Sequence, residues 1–278
     1  MKRTYDLAAR AAQWGVALDR VDETDQSTVG FGRRGDQTVV IKRCRNASRE
    51  ARVLRTYAGQ GVVRLLDHDD DAMLLEGLIP ATQLVSVVNE GDDDRATAIL
   101  ADVVGRMKPR ETPSGVPLAS QWGQAFVASA ACASDVFPVG LVERARHVYV
   151  RLCESQATPR LLHGDLHHEN VLFDDERGWL AIDPKGVVAE LEFELGAALR
   201  NPLRRPDVFT DPATVARRID RFARDLHLDR DRILSWAFAQ VVLALIWLVE
   251  DGDDVALEHP WLTLANNLEA MMSSRRSM

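Results

Sequence analysis

His163-Gly164-Asp165-Leu166-His167-His168-Glu169-Asn170-Val171-Leu172-Phe173, followed downstream by Ala181-Ile182-Asp183-Pro184, is the stretch from which the rest of the chain can be read. Residues 171–173 and 179–182 are apolar, and the acidic, glycine-ended segment 174–178 separates them, so a short β-hairpin is expected. Such a hairpin sets Asn170, at the start of its first strand, beside Asp183, at the end of its second. Asp165 lies on the loop that enters it. A carboxylate with two further oxygen donors matches the needs of phosphoryl transfer: one group orients a hydroxyl and takes its proton, and the others hold a divalent metal on the polyphosphate. Singly, each has a plainer reading, a turn aspartate or an asparagine cap. His163, His167 and His168 suggest a competing hydrolase-type metal cluster, but the other four histidines are scattered and complete no ligand set.

Upstream, the sequence reads as a small mixed lobe. Residues 18–23 and 28–31 are short strands, and Arg34-Gly35-Asp36 turns into the β-branched run Thr38-Val39-Val40-Ile41-Lys42. Asn46 and Ser48 are capping candidates for a helix over 47–58 that Gly59 and Gly61 stop. Residues 62–66 and 72–76 form a second strand pair. Residues 77–80 break the pattern as a hinge, which divides the chain into a small mixed lobe (1–79) and a larger helical lobe (80–278). Downstream, helices are expected over 211–225, 230–249 and 261–272, with a frayed tail at 273–278.

Bulk properties narrow the classes of function. The chain has 278 residues, 46% hydrophobic and 27% charged, enough for two lobes around a sizeable core. A net charge of −8 argues against nucleic-acid binding; it would attract a cationic small molecule, though the plainer reading is an ordinary acidic soluble surface. Three cysteines, Cys44, Cys132 and Cys153, form no Cys-x-x-Cys, so the expected setting is the reducing cytoplasm. The N-terminus has no apolar run behind its positive charges and does not read as a signal peptide. The most apolar segment, 237–249, is interrupted by Gln240 and falls short of the about 20 residues of a membrane span; a buried helix is expected. No membrane association is anticipated, and the protein should be a monomer.

The segment His163 to Asn170 resembles the catalytic-loop signature of the aminoglycoside phosphotransferase superfamily, relatives of the protein kinases. Three further stretches are similar to the streptomycin 6-phosphotransferase and hydroxyurea kinase group. They are Val63-Arg64-Leu65-Leu66-Asp67-His68-Asp69 with Met73-Leu74-Leu75-Glu76, then Trp179 to Pro184, and Trp247-Leu248-Val249-Glu250-Asp251-Gly252. The resemblance implies an α+β, bilobal, protein-kinase-like fold: a small mixed β-sheet lobe with one main helix, and a mostly helical lobe. It implies transfer of the γ-phosphoryl group of ATP or GTP, with Mg2+, to a hydroxyl of a streptomycin-like aminoglycoside, inactivating it. Asp165 would be the base, and Asn170 and Asp183 the magnesium ligands. Lys42 would contact the α- and β-phosphates and pair with Glu50, while Glu76 to Leu78 would bind the purine through backbone groups.

No Gly-x-Gly-x-x-Gly loop is present, so the turn at 24–28 should cover the phosphates with Ser27 and Thr28. Gly30 and Gly32 come too late for that and read as strand irregularity. Lys185 is expected either on phosphate or paired with Glu190, Glu192 or Glu194. For a cationic acceptor the candidate carboxylates are Glu190, Glu192, Glu194, Asp135, Glu250, Asp251, Asp253, Asp254 and Glu258. Core packing is the plainer reading of both Trp236 and Trp247, and Trp247, beside Glu250-Asp251, is the better stacking candidate. A kinase for hydroxyurea or a sugar, and a catalytically silent binding module, are the competing readings.

Overall fold

The computed structural model describes residues 7–24, 27–128, 137, 138, 140–253, 255 and 258–275. It begins with a helix the sequence pattern did not disclose, α1 (Ala8–Trp14). Five strands follow: β1 (Ala17–Glu23), β2 (Ser27–Arg34), β3 (Gln37–Cys44), β4 (Leu65–His68) and β5 (Ala72–Glu76), with α2 (Ala47–Tyr57) between β3 and β4. They form one antiparallel sheet in the order β1-β2-β3-β5-β4.

The two-residue period of β3 sorts its side chains. Val39 and Ile41, both fully buried, pack with Leu7, Ala11 and Trp14 on the α1 face. Burying each of them stabilises by about 1.5–3 kcal/mol. Lys42 and Cys44 point to the other face, toward α2. Gly32 sits where β1 bulges between Leu18 and Arg20: a Cβ there would lie 2.2 Å from the Ala17 carbonyl oxygen. That accords with the reading of Gly32 as an irregularity of the strand.

Two local expectations need correction. Asn46 precedes α2 but makes no side-chain cap, and the Ser48 hydroxyl donates instead to the Asp70 carbonyl at 2.9 Å. The helix closes on Ala58, in the left-handed region at φ 51°, one residue ahead of Gly59.

After the sheet, the segment 77–79 is tied to the later hairpin. Ile79 N donates to Asp174 Oδ2 at 3.0 Å, and Asp175 N to Ile79 O at 2.7 Å. The chain continues through β6 (Pro80–Gln83), α3 (Val85–Asn89), α4 (Asp93–Arg106), α5 (Ala119–Trp122), α6 (Ala125–Ala128) and α7 (Leu141–Glu154). Then come β7 (Arg160–Leu162), a 3-10 turn at His168–Asn170, β8 (Val171–Asp174), β9 (Gly178–Ala181) and β10 (Val187–Ala189). The expected hairpin is β8–β9, to which β6 adds a third strand, while β7 pairs with β10.

The helical mass is completed by α8 (Leu191–Leu199), α9 (Pro206–Phe209), α10 (Pro212–Leu226), α11 (Arg230–Glu250) and α12 (Pro260–Arg275). Asp211 and Asp229 cap α10 and α11 by accepting from Thr214 N and from Asp231 N and Arg232 N. Helix α11 spans 21 residues at mean hydropathy 2.0 over its most apolar window, long and apolar enough to cross a membrane. The length argument against a span therefore does not hold. Burial distinguishes the helix instead, since 72% of that window is inside the fold, packed against α7, α8 and α12. The tail expected from residue 273 is helical as far as Arg275, where α12 ends, and its residues 276–278 lie outside the described residues.

Candidate active site

Strand pairing makes the site. β7 delivers the chain to His163, and β10, antiparallel to β7, returns it from residue 186, so the loops 163–167 and 182–186 lie side by side. Gly186 N donates to His163 O at 2.9 Å. His163, wholly buried, stitches the loops: Nε2 donates to Ile182 O at 2.7 Å, and Nδ1 accepts from Asp165 N at 3.2 Å. That pattern requires the neutral imidazole, and burial pushes its pKa down to about 4.

The Glu194 carboxylate underpins the same loop. It is 2% exposed and accepts from His163 N at 2.7 Å and Gly164 N at 2.9 Å, while burial pushes it up to about 7. Gly164, at φ 81°, favours the absence of a side chain: a Cβ would lie 3.0 Å from Val187 Cγ1 and 3.1 Å from the Trp122 ring, so those neighbours would have to yield.

Asp165 faces Lys185 Nζ at 3.0 Å, Arg200 Nη2 at 3.7 Å and the His167 imidazole, whose Nε2 is 3.9 Å away. Burial alone would raise its pKa, but the charges of Lys185, His167 and Arg200 hold it down to about 2. It is thus ionised near neutral pH. Lys185 pairs with none of Glu190, Glu192 and Glu194, which corrects that alternative.

Asn170 and Asp183 are brought together as the hairpin required. Ile182 N donates to Asn170 O at 2.9 Å, and Asn170 Nδ2 donates to Asp165 O at 3.0 Å. Asp183 occupies the left-handed region at φ 60°, where a non-glycine residue is strained. Its Oδ1 lies 3.1 Å from Lys42 Nζ, which in turn lies 2.8 Å from Glu50 Oε2. Lys42 therefore joins the sheet, α2 and the hairpin loop. Burial would depress its ammonium, yet Asp183 and Glu50 hold it above its ordinary range.

Other expected residues fall elsewhere. Ser27 pairs with Cys44 across the sheet and shares the Lys42 face, its hydroxyl 3.1 Å from that of Thr24. Thr28 pairs with Arg43 and lies, 2% exposed, on the opposite face, so it cannot cover phosphates on the Lys42 side. Asp25 and Gln26 lie outside the described residues. The Glu76 carboxylate is taken by Arg177 and by Arg64 N, and its amide donates to Arg64 O. Leu78, half-buried beside it, is the remaining hinge residue of the expected purine contact.

The acceptor side needs the largest correction. Glu190 is 3% exposed and accepts from Arg232 Nε at 2.6 Å and Trp236 Nε1 at 2.5 Å. With Glu194 underneath the catalytic loop, neither glutamate faces an acceptor. Both follow an apolar strand into an apolar helix, where a carboxylate stays only by satisfying buried donors. Glu192 lines a separate cleft of about 420 Å³ with Ser155, Arg160 and Asp229, at the opposite end of β7 from Asp165.

Trp236 is core, at 0% exposure. Trp247 is half-buried and packs edge-on to Trp122 at 5.5 Å, and Trp122 abuts Gly164. Glu250, Asp251, Asp253 and Glu258 are exposed, whereas Asp135 and Asp254 lie outside the described residues. Among the described residues no group of three or more His, Cys, Asp or Glu is arranged to hold a metal, which removes the histidine-cluster reading.

Sequence reasoning missed Trp122 and Arg200. The signal for Arg200 was available: it is a lone cation ending the apolar helix Leu191–Leu199.

An antiparallel sheet carrying Lys42 over a helical body carrying Asp165, Asn170 and Asp183 defines a phosphotransferase of the protein-kinase-like class. The overall fold is shared, at TM-score 0.65 and 13% identity over 96% of this chain and 97% of the other, with a thermostable aminoglycoside phosphotransferase mutant in ternary complex with ADP and hygromycin B. It is shared at TM-score 0.58 and 13% identity, over 96% and 97%, with a choline kinase from Streptococcus pneumoniae.

The profile described as aminoglycoside/hydroxyurea antibiotic resistance kinase matches residues 21–252, and the chain belongs to that family. Streptomycin 6-kinase of Streptomyces griseus is 36% identical over 72% of this chain and 66% of its own length, so the match spans about two thirds of that relative. Streptomycin 3''-kinase of Klebsiella pneumoniae is 33% identical over 79% and 83%. Hydroxyurea phosphotransferase of Kitasatospora aureofaciens is 34% identical over 77% and 62%.

Proposed function

We propose that the protein transfers the γ-phosphoryl group of ATP to a hydroxyl of an aminoglycoside, with a streptomycin-like acceptor favoured, and thereby inactivates an antibiotic. The observation that carries this reading is the Lys42 ammonium held between Glu50 and Asp183, 2.8 and 3.1 Å away, on the same loop system as Asp165. Residues 1–79 would cover the nucleotide, with Lys42 on its phosphates and the 77–79 backbone at the purine.

Asn170 spends its amide nitrogen on Asp165 O, which leaves its oxygen as a metal donor, and its backbone pairing with Ile182 sets it across the hairpin from Asp183. That all-oxygen pair suits magnesium, and the bound ion would neutralise charge on the triphosphate. Asp165 orients the acceptor O–H and takes its proton. The acceptor oxygen bonds to the γ-phosphorus as the bond from that phosphorus to the β–γ bridging oxygen breaks, and ADP leaves. A carboxylate held at about 2 is a weak base. It suffices because in a loose phosphoryl-transfer transition state the attacking hydroxyl keeps its proton until late.

Support for a cationic acceptor comes from the relatives named for streptomycin, from the net charge of −8, and from exposed Glu250 and Asp251 beyond the Trp247–Trp122 pair. A nucleotide-consumption screen over aminoglycosides, hydroxyurea and simple sugars, with product masses, tests the reading. Acceptor-dependent consumption with a product one phosphoryl group heavier is expected for an aminoglycoside. Consumption stimulated only by neutral acceptors would overturn the acceptor class, and none at all would overturn the reaction.

A further inference from the structure

Two very different cations approach Asp165. Lys185 reaches Oδ2 from a side chain 52% exposed, on a flexible aliphatic stem. Arg200 approaches Oδ1 from a side chain 9% exposed, at the end of α8. The Arg200 backbone carbonyl accepts from Trp261 Nε1 at 2.9 Å, and its guanidinium lies 5.9 Å from the Trp261 ring centroid.

Its Nη1 is buried and has no hydrogen-bond partner among the described residues. Leaving such a donor unmet costs about 1–3 kcal/mol. Packing alone gives no reason to retain a guanidinium there, since an apolar side chain would avoid that cost. The two carboxylate oxygens are therefore not equivalent. Oδ2 is on the side from which an exposed lysine can withdraw, with the His167 imidazole farther off at 3.9 Å, and Oδ1 is on the side of a buried arginine.

We infer that Arg200 is a positioning residue of the reaction: it holds Asp165 through Oδ1 from the protein interior, so that Oδ2 is the oxygen presented to the acceptor hydroxyl when Lys185 gives way. This rests on the phosphotransfer reading above. At 3.7 Å the Arg200 contact is longer than a hydrogen bond, and a modest shift of the Asp165 side chain on acceptor binding would close it. A forked, planar guanidinium fixes a carboxylate's orientation in a way that a single ammonium does not.

The test is steady-state kinetics of Arg200→Met and Arg200→Lys, with melting temperatures measured alongside. Arg200→Met should lower kcat about a hundredfold, the scale of a catalytic group misplaced by about 1 Å. Both KM values, for MgATP and for the acceptor, should stay within about threefold. Arg200→Lys should recover about tenfold of that loss. A kcat within about twofold of wild type, or a loss carried by the KM values, overturns the inference. If Arg200→Met does not fold, Arg200→Lys decides alone, because a wild-type kcat in that variant is the contrary result. A wild type inactive on every acceptor is a failure of the functional reading. An active wild type with an indifferent Arg200 variant is a failure of this inference only.

Discussion

Replacing Lys42 with methionine tests whether the Glu50–Lys42–Asp183 link is a structural tie as well as a nucleotide contact. The Lys42 and Glu50 side chains are 9% and 13% exposed, so methionine leaves a carboxylate inside the protein with, among the described residues, only the Cys44 thiol, at 3.5 Å, still donating to it. Breaking a buried pair from one side costs about 3–5 kcal/mol. Asp183 is 41% exposed and can be resolvated, and burial already raises the pKa of Glu50, so that it can take up a proton. Both effects favour the lower bound, about 3 kcal/mol. At about 2–4 °C per kcal/mol for a chain of this size, the melting point should fall by about 6–12 °C.

Lys42→Met/Glu50→Gln removes the stranded charge and should regain at least half of that drop, a coupling of at least about 1.5 kcal/mol between the two sites. Neither variant should turn over substrate. Thermal unfolding without nucleotide is the assay. Melting of Lys42→Met within about 1 °C of wild type, or strictly additive losses in the double variant, would refute the reasoning.

Glu194, with a folded pKa raised from 4.5 to about 7, contributes stability that is complete below about 4.5 and lost as pH rises through about 7. The amount is about 3 kcal/mol. Urea midpoints between pH 4.5 and 8 should decline in wild type and flatten in Glu194→Gln; parallel profiles would contradict the assignment. Glu190→Gln should lower the melting point by weakening the Arg232 and Trp236 contacts, at about 2 kcal/mol, and leave the acceptor KM unchanged. A raised acceptor KM at wild-type stability would return Glu190 to the pocket. Gly164→Ala should cut kcat by about tenfold or more, because the loop must move off Val187 and Trp122 to admit a methyl group; an unaltered kcat would show that the loop position is not critical.

The parts of this protein that were legible before folding are those whose signal is local. The β8–β9 hairpin announces itself by two apolar runs around an acidic turn, and β3 by its β-branched residues ahead of Lys42. Pairings set by distant contacts left no such trace. β6, β7 and β10 are three or four residues long and find their partners far along the chain. The charges of Glu190 and Glu194 suggested a cationic ligand, but their surroundings, fixed only by tertiary packing, turned them into acceptors for internal donors. Thr28 went astray for a simpler reason, since one residue of register along β2 exchanges the face toward Lys42 for the face toward α1. The Lys42–Glu50–Asp183 link joins residues up to 141 positions apart, as the numbering shows. No window of sequence contains it, and only the order of motifs anticipated it.

Calorimetric titration of a non-hydrolysable ATP analogue into wild type and Asp183→Ala, each with and without magnesium, bears most directly on the shared site of triphosphate and metal. Magnesium should tighten binding to wild type by at least about tenfold, a difference of about 1.4 kcal/mol. It should add little to Asp183→Ala, whose metal-free affinity stays near that of wild type. An equal magnesium enhancement in both proteins would mean that Asp183 does not hold the ion, and that the hairpin does not assemble a phosphoryl-transfer site.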